Sequence, residues 1–561
     1  MTDATAQVLR RRWQAPRLDG GLLESPSLAE AGEVAARNRD TLLASSVVID
    51  GQPLAALRAK ARSETLLAGR KFLSELSGGQ FGAATPCCCH ADFDRRVQDC
   101  LWFVSGHQPT LTHAGVWVKN VAAAVLAEKY EGLGANLIVD QDVISSRAIT
   151  LPLGTAASPR MSTVAFDEPA GARPGEEARI SDLDQFRRFG ETVTDLVRRE
   201  WGYTPLIEEV WPAAIAEAQS SRRLTRALSA VRIALERRHG LNNAEFELSA
   251  VSRTTAFLHF FRHLATRADE FRESYNRHLA EYRRINRVRS TAHPVPDLAR
   301  EGDAHELPFW LYFEGDLHRR RLFVRQRNDV IELTDGVETF GSFSALESAE
   351  GSESRIAELR EVLCCGVRLR PRALATTLFS RLLLADLFIH GIGGAKYDEM
   401  TDALGTEFFG LRMPQYMTLT GTRWLPLGGG YPMATDDWRR AQRAVRDARY
   451  NAETFLNGEA GELVDEKQRL VAELKELKAV RSSRRAGRSQ RRDVARTLRT
   501  VEQQLAAAVE HRLPALHDMQ QTFHGQVDAN RILRSREFAA VLHPLSSYAD
   551  WMTQIRDAVE S

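Results

Sequence analysis

The sequence predicts an α/β fold: a parallel-sheet core carrying mainly helical insertions, completed by a C-terminal antiparallel hairpin of coiled-coil helices. Three observations predict it. The stretch LWFVSGHQPTLTHAGVWVKN, from Leu101 to Asn120, runs from an apolar strand through a polar loop into a helix. The same order recurs in LLLADLFIHGIGGAKYDEM, where Leu387, Phe388 and Ile389 lead into His390 and a glycine turn. Beyond Asp436, leucines at coiled-coil-like spacing mark two long helices.

Residues 1–175 read as the first part of the core. Leu54, Leu57, Leu66, Leu67, Phe72 and Leu73 recur at helical spacing and predict a layer covering the first strand. Leu101 to Val104 form that strand, Ser105 and Gly106 break it, and Val116 to Lys129 form a helix whose apolar side holds Val118, Val121, Val125 and Leu126. Leu137, Ile138 and Val139 give a second strand. A connection of this length implies a parallel pair with a right-handed crossover, which brings Asp140 to Arg147 beside the first loop. Further strands are expected at Arg147 to Pro152 and Ser162 to Phe166.

Residues 176–295 read as a helical insertion, ended by Pro294 and Pro296. Residues 296–345 read as a small antiparallel β insertion of three strands with a turn at Glu314 to Asp316. The core resumes over 346–432, with a helix through Leu378, Leu382 and Leu383 and another from Tyr397 toward Phe409. Residues 433–561 read as the hairpin and a tail. One helix spans Asp436 to Val480, with Leu463, Leu470, Leu474 and Leu477 on its seam. The tip carries Arg481, Arg484, Arg485, Arg488, Arg491 and Arg492, and a return helix runs through Leu498, Val501, Leu505 and Val509. The tail, with Pro514 and Trp551, is expected to fold back on the hairpin base.

A chain of 561 residues holds two or three structural units and is no small binding module. Its 75 Lys and Arg against 74 Asp and Glu leave +1, so global charge favours neither nucleic acid nor an anionic membrane. No apolar run suits a secretory signal or a bilayer span, and the expectation is a cytoplasmic protein without a membrane partner. Cys87, Cys88, Cys89, Cys100, Cys364 and Cys365 are clustered, which suggests reduced thiols. The run CCCH at 87–90 lacks the separated ligand pairs of a zinc site, so no metal is expected.

The first strand's polar end faces a helix amino terminus, where unpaired amides and the helix dipole favour an anion. His107, Gln108, Thr110, Thr112 and His113 add side chains to it, and Lys119 and Asn120 follow on the helix. Asp140 and Asp142 sit at the second strand's end; an ordinary solvated turn or helix cap is the competing reading of both. In the repeat, His390 is followed by Gly391, Gly393 and Gly394, with Lys396, Tyr397 and Asp398 on the first helical turn. No glycine-rich phosphate fingerprint accompanies either loop, so spacing names no cofactor; ATP or another nucleotide stays open.

SGHQPTLTHAGVWVKN and LRPRALATTLFSRLLLADLFIHGIGGAKYDEM, in this order, resemble two motifs of the bacillithiol biosynthesis cysteine-adding enzymes, BshC. The chain length and the C-terminal hairpin fit as well. The specific likeness covers about 70 residues, and HGIGGAKYDEM departs from the glycine, proline, glycine and glutamate turn of many members, which marks a divergent branch. The resemblance implies a Rossmann-like core and a ligase joining the carboxyl group of cysteine to the amine of a glucosamine-malate conjugate. His107, Gln108, Asp140 and His390 are then the catalytic candidates. Thr110, His113, Lys119, Asn120, Asp142, Gly391, Gly393, Gly394, Lys396 and Asp398 are the candidates for holding substrate or an anion. A homodimer through the coiled coil is a further expectation. The alternative is a non-catalytic nucleotide- or nucleic-acid-binding protein that uses the arginine-tipped hairpin.

Overall fold

A computed structural model describes residues 13–76, 99–144, 146–316, 318–346, 352–479 and 485–561. The chain is mixed α/β and divides into two compact units. The first comprises 1–151, 162–425 and 536–561; the second comprises 152–161 and 426–535.

In the first unit, strand β1 (Leu22–Ser25) precedes a helix over Ala31–Leu43, a short hairpin and then helix α1 (Leu54–Glu75), whose Leu54, Leu57 and Leu66 are buried as expected while Leu67 is 69% exposed. Strand β2 (Trp102–His107), helix α2 (Ala114–Lys129) and strand β3 (Leu133–Ile138) form the expected parallel unit. The strands expected near 147–152 and 162–166 are longer, Ala148–Thr155 and Ser158–Ala165, and pair with each other.

The region expected to be mainly helical supplies helix α3 (Leu183–Trp201), α4 (Ile207–Ser221) and α5 (Leu224–Arg238), and then a strand, β4 (Ala244–Glu247). That strand pairs parallel with β3 and edges the main sheet. Four residues are too few for a period-2 signal, and the pairing is decided by buried groups that only the fold assembles. Glu245 takes a bidentate bond from Arg232 on α5, and the Asn136 amide on β3 donates to it.

After helix α6 (Leu248–Val251), α7 (Thr255–Ala265) and α8 (Ala268–Asn286), the chain forms a second, antiparallel sheet. Its strands include β5 (Ala304–Phe313), β6 (Arg320–Arg327), β7 (Val330–Thr334) and β8 (Thr339–Ser344). Strand β9 (Val367–Pro371), past the expected end of the insertion, pairs with β5. Helix α9 (Ala373–Phe379) and a π-helical turn over Ser380–Leu384 then enter β10 (Leu387–His390), helix α10 (Ile392–Phe409) and β11 (Met417–Gly421).

The main sheet is ordered β1-β11-β10-β2-β3-β4, parallel throughout except for β1. Register aligns His107 with Ile138 and Ile389 with Ser105, so the carboxyl ends of β2, β3 and β10 lie together. At the opposite end, Asp386 is fully buried and binds Arg58 (2.5 Å) and Arg62 (2.6 Å) of α1 while accepting the Trp102 amide. Removing one partner from such a buried group costs about 3–5 kcal/mol. No periodicity in the sequence announces this clamp.

The C-terminal helix α15 (Ser546–Glu560) belongs to the first unit. Trp551 is buried against Gly421, and Tyr548 packs edge-on to Trp117 at 4.7 Å. This corrects the expectation that the tail returns to the hairpin base: aromatics of this size go where an apolar concavity exists, and α2 and β11 provide one.

The second unit contains α11 (Ala434–Tyr450), α12 (Gly461–Ala479), α13 (Arg485–Val509) and α14 (Leu513–Leu533). The single helix expected over 436–480 is broken between Tyr450 and Gly461, where Asn457, Gly458 and Ala460 take positive φ. Leu470 is buried among Val494, Val501, Leu505 and Val509, with Leu463, Leu474 and Leu477 packed against them, as the leucine spacing implies. Arg481 and Arg484 lie outside the described residues, as do Cys87 to His90. Among the described residues, no helix is long and apolar enough to cross a membrane.

Candidate functional site

A cavity of about 410 Å³ opens in the first unit at the carboxyl ends of β2, β3 and β10. His107, Gln108 and Asp142 reach it from one side and His390 and Tyr397 from the other; Trp310, Arg319 and Arg372 close it from the antiparallel sheet and the start of α9. The two sequence motifs thus meet in one place. Sites of this kind form where parallel strands end, because the loops there are free to carry polar groups while the strands fix their origin.

At the end of β2, the His107 Nδ1 lies 2.9 Å from the Gln108 carbonyl oxygen, which makes Nδ1 the donor. Nε2 keeps the lone pair and is enclosed beside Asn120 without a hydrogen bond of good geometry. Burial, and then the cations of Lys119 and Arg232, hold the imidazole well below its ordinary pKa, so it is neutral. The Gln108 amide donates to Asp142, and Asp142 also pairs with Arg319 at 3.1 Å. This links both strand-end loops to the antiparallel sheet.

His390 is held differently. Its Nε2 lies 2.6 Å from Asp398 Oδ2, and Arg381 donates to the same oxygen at 2.9 Å. Burial alone would raise Asp398; the neighbouring His390 and Arg381 overcome it and hold the carboxyl at about 2. With Nε2 donating, Nδ1 carries the lone pair. Helix α10 begins at Ile392, so Gly393 and Gly394 lie in its first turn instead of in a loop before it, and Lys396 to Asp398 fall one turn later than expected. A side chain at Gly394 would place Cβ 2.3 Å from His390 Nδ1, whereas one at Gly391 or Gly393 would meet nothing within 4 Å. At Gly394 the missing side chain makes room for the histidine ring, while the space beside Gly391 and Gly393 is open.

Several candidates do other work. Asp140 is 1% exposed and accepts the Ser249 amide (2.9 Å) and hydroxyl; burial, with Glu247 and Glu176, raises it to about 7. It caps α6 and does not line the cavity. Lys119 is buried and donates to the Gly106 carbonyl at 2.9 Å, its pKa brought down to about 8 by burial. Asn120 is buried in a network with Ser105, Glu236 and Asn243. Thr110 is exposed and His113 is covered by the C-terminal segment, pairing with Ala539 and lying 3.7 Å from Glu537. Beside the amino terminus of α2, a Cβ at Gly115 would fall 2.2 Å from the Gly421 carbonyl oxygen and 2.5 Å from Arg536. Lys396 is half-buried and does not line the cavity.

The residues that sequence reasoning missed come from elsewhere in the chain. Trp310 lies between two guanidinium groups, Arg319 at 4.6 Å and Arg372 at 4.1 Å from its ring centre. Arg372 donates to Glu306 at 2.8 Å through one nitrogen, while its second terminal nitrogen and Nε are buried without a partner. An unsatisfied guanidinium edge in a cavity wall suits a carboxylate or phosphate, which accepts two parallel N–H bonds. The start LRP of the second motif contains this region, but only the pairing of β5 with β9 sets Arg372 against Trp310. Among the described residues, no group of His, Cys, Asp and Glu is arranged to hold a metal ion. No protein-family model matches the chain, and no curated protein is similar to it in sequence.

Proposed function

We propose that the chain is a carbon–nitrogen ligase, a divergent relative of the bacillithiol cysteine-adding enzymes, joining a carboxylate to an amino-sugar conjugate. The observation that carries this reading is the meeting of both motifs in one cavity with an unsatisfied arginine. Five adjacent parallel strands with polar loops at one edge support a Rossmann-like core, and the apolar seam between α12 and α13 supports a coiled-coil hairpin.

Amide formation needs three things: an activated acyl carbon, a deprotonated amine and a place for the carbonyl oxygen's developing charge. Arg372, in the cavity wall beside Trp310, supplies the positive charge that meets the carboxyl-bearing substrate. His390, its lone pair on Nδ1 and its ring fixed by Asp398, takes the proton that the amine loses as the new C–N bond forms, while the acyl carbon's bond to its activating group, a phosphate that a nucleoside triphosphate co-substrate would supply, would break and that phosphate would leave. Gln108 and Arg319, tied together through Asp142, orient the polar end of the second substrate. A neutral His107 adds an uncharged wall, and Trp310 and Phe388 supply apolar surface that excludes water.

The test is direct. Purified protein is incubated with cysteine, glucosamine-malate and a panel of other amines, with and without ATP, and products are weighed by mass spectrometry. A product equal to the two reactants less water is expected with at least one amine. No condensation product from any pair, with or without ATP, would overturn the reading.

A further inference from the structure

The near-neutral charge of the whole chain hides an uneven division. The second unit carries 21 Lys and Arg against 15 Asp and Glu, a net charge of +6, which leaves −5 on the remainder. Within that unit a groove of about 510 Å³ runs beside α11, lined by Arg439, Arg443, Arg446, Arg449, Tyr450 and, from α14, Gln520. The arginines are spaced by four, three and three residues, so they share one helix face over about 15 Å.

Such a stripe is costly to a helix that merely faces water, because like charges three and four residues apart repel. Little within the unit relieves it. Arg439 and Arg446 have acidic neighbours only at 3.6 and 3.8 Å, beyond hydrogen-bond distance, Arg449 leans on the His517 ring at 3.4 Å, and Arg443 has no ion pair. Helix α12 of the same unit shows the ordinary solution: there Arg469 is paired with both Glu466 and Glu473. On α11 itself, Arg440 points to another face and pairs with Asp437. The unneutralised charge is therefore concentrated on the groove.

An aromatic group lines one end of it: Tyr450 is 61% exposed. On the same helix, beside Arg439, Trp438 packs edge-on to His524 with ring centres 5.6 Å apart. A cationic groove with an exposed aromatic ring suits a ligand that alternates phosphates with bases, since a base stacks on the ring while each phosphate meets a guanidinium. An anionic bilayer offers charge but no planar base to stack on Tyr450.

We propose that this groove binds single-stranded nucleic acid, with Arg443 and Arg446 on phosphates and Tyr450 stacked on a base. It belongs to the second unit and does not depend on the ligase reading.

The test measures fluorescence anisotropy of labelled oligouridylate and oligothymidylate with the full chain across a salt series. The expected result is binding that weakens steeply with salt, with a log–log slope that Arg443→Glu/Arg446→Glu lowers by about two. Tyr450→Ala should weaken binding about fivefold or more while leaving that slope unchanged. Both variants change exposed side chains, and their far-UV circular dichroism should match the parent. Absence of binding at low salt, an unchanged slope in the double arginine variant, or equal affinity for duplex of the same length would overturn the proposal. So would binding to phosphatidylserine vesicles without binding to either oligonucleotide.

Discussion

At the end of β2, His107 donates from Nδ1 to a backbone carbonyl and keeps its lone pair on an enclosed Nε2; at the end of β10, His390 donates from Nε2 to a carboxylate and keeps its lone pair on Nδ1. Both follow an apolar strand and precede a helix, and both line one cavity. The difference lies in what stands behind each ring. Burial, and then Lys119 and Arg232, disfavour a proton on His107. Behind His390 stands the Asp398 carboxylate, which fixes the ring through Nε2. A strand-loop-helix motif therefore fixes where a histidine stands, and its neighbours fix which ring nitrogen keeps its lone pair.

The sharpest break of this comparison is His390→Gln against His107→Gln. The first should lower kcat about 10²- to 10⁴-fold, the range for loss of a general base, while the second should change it less than about tenfold. Turnover by mass spectrometry decides, and equal losses would make the two histidines equivalent.

Asp398→Ala tests the anion behind His390 through stability. It leaves Arg381 short of one buried partner and should cost about 3–5 kcal/mol in chemical denaturation. The wild-type protein should also lose stability as pH falls from about 4 toward 2, because Asp398 is held near 2 in the fold and must take up a proton there. The Asp398→Asn variant should lack that acid limb.

Arg372→Ala should raise KM for the carboxylate substrate about ten- to a hundredfold, the loss of a charged hydrogen bond, with a smaller effect on kcat. A kcat effect as large as that of His390→Gln would instead place Arg372 among the reacting groups.

Gly394→Ala and Gly393→Ala, adjacent on α10, sharpen the comparison further. The first forces a Cβ to within 2.3 Å of His390 Nδ1 and should lower kcat by displacing the ring; the second meets nothing and should leave kcat unchanged, with a gain in helix stability of at most about 1 kcal/mol.

A last effect, on stability and not on turnover, concerns Asp140. Its folded pKa of about 7 lies above the unfolded value, so the fold holds a proton that the unfolded chain has lost, and stability should fall as pH rises from about 4 to 7. Asp140→Asn should flatten that part of the urea-midpoint profile with little change in turnover.

Much of this could be read from residues in order. Apolar runs at 101–104 and 387–389 gave strands, their polar ends gave His107, Gln108, Asp142 and His390, and parallel pairing brought those ends together. Leucine spacing after Leu463 gave packed helices. All of these depend on near neighbours in the chain, where periodicity and breaker residues act.

Other features depend on residues far apart in sequence, and no local pattern records them. The short strand Ala244–Glu247 exists because Arg232 and Asn136 satisfy Glu245. Asp140, Lys119 and Asn120 became internal supports because the fold surrounds them with partners. Arg372 became a wall of the cavity because β9 pairs with β5, about 60 residues earlier. Local patterns along the chain set the strand-loop-helix units and the edge on which their histidines stand. Which groups keep a lone pair, a proton or an unsatisfied guanidinium is set by tertiary contacts, because those properties come from burial and from the charge of neighbours that chain order does not reveal.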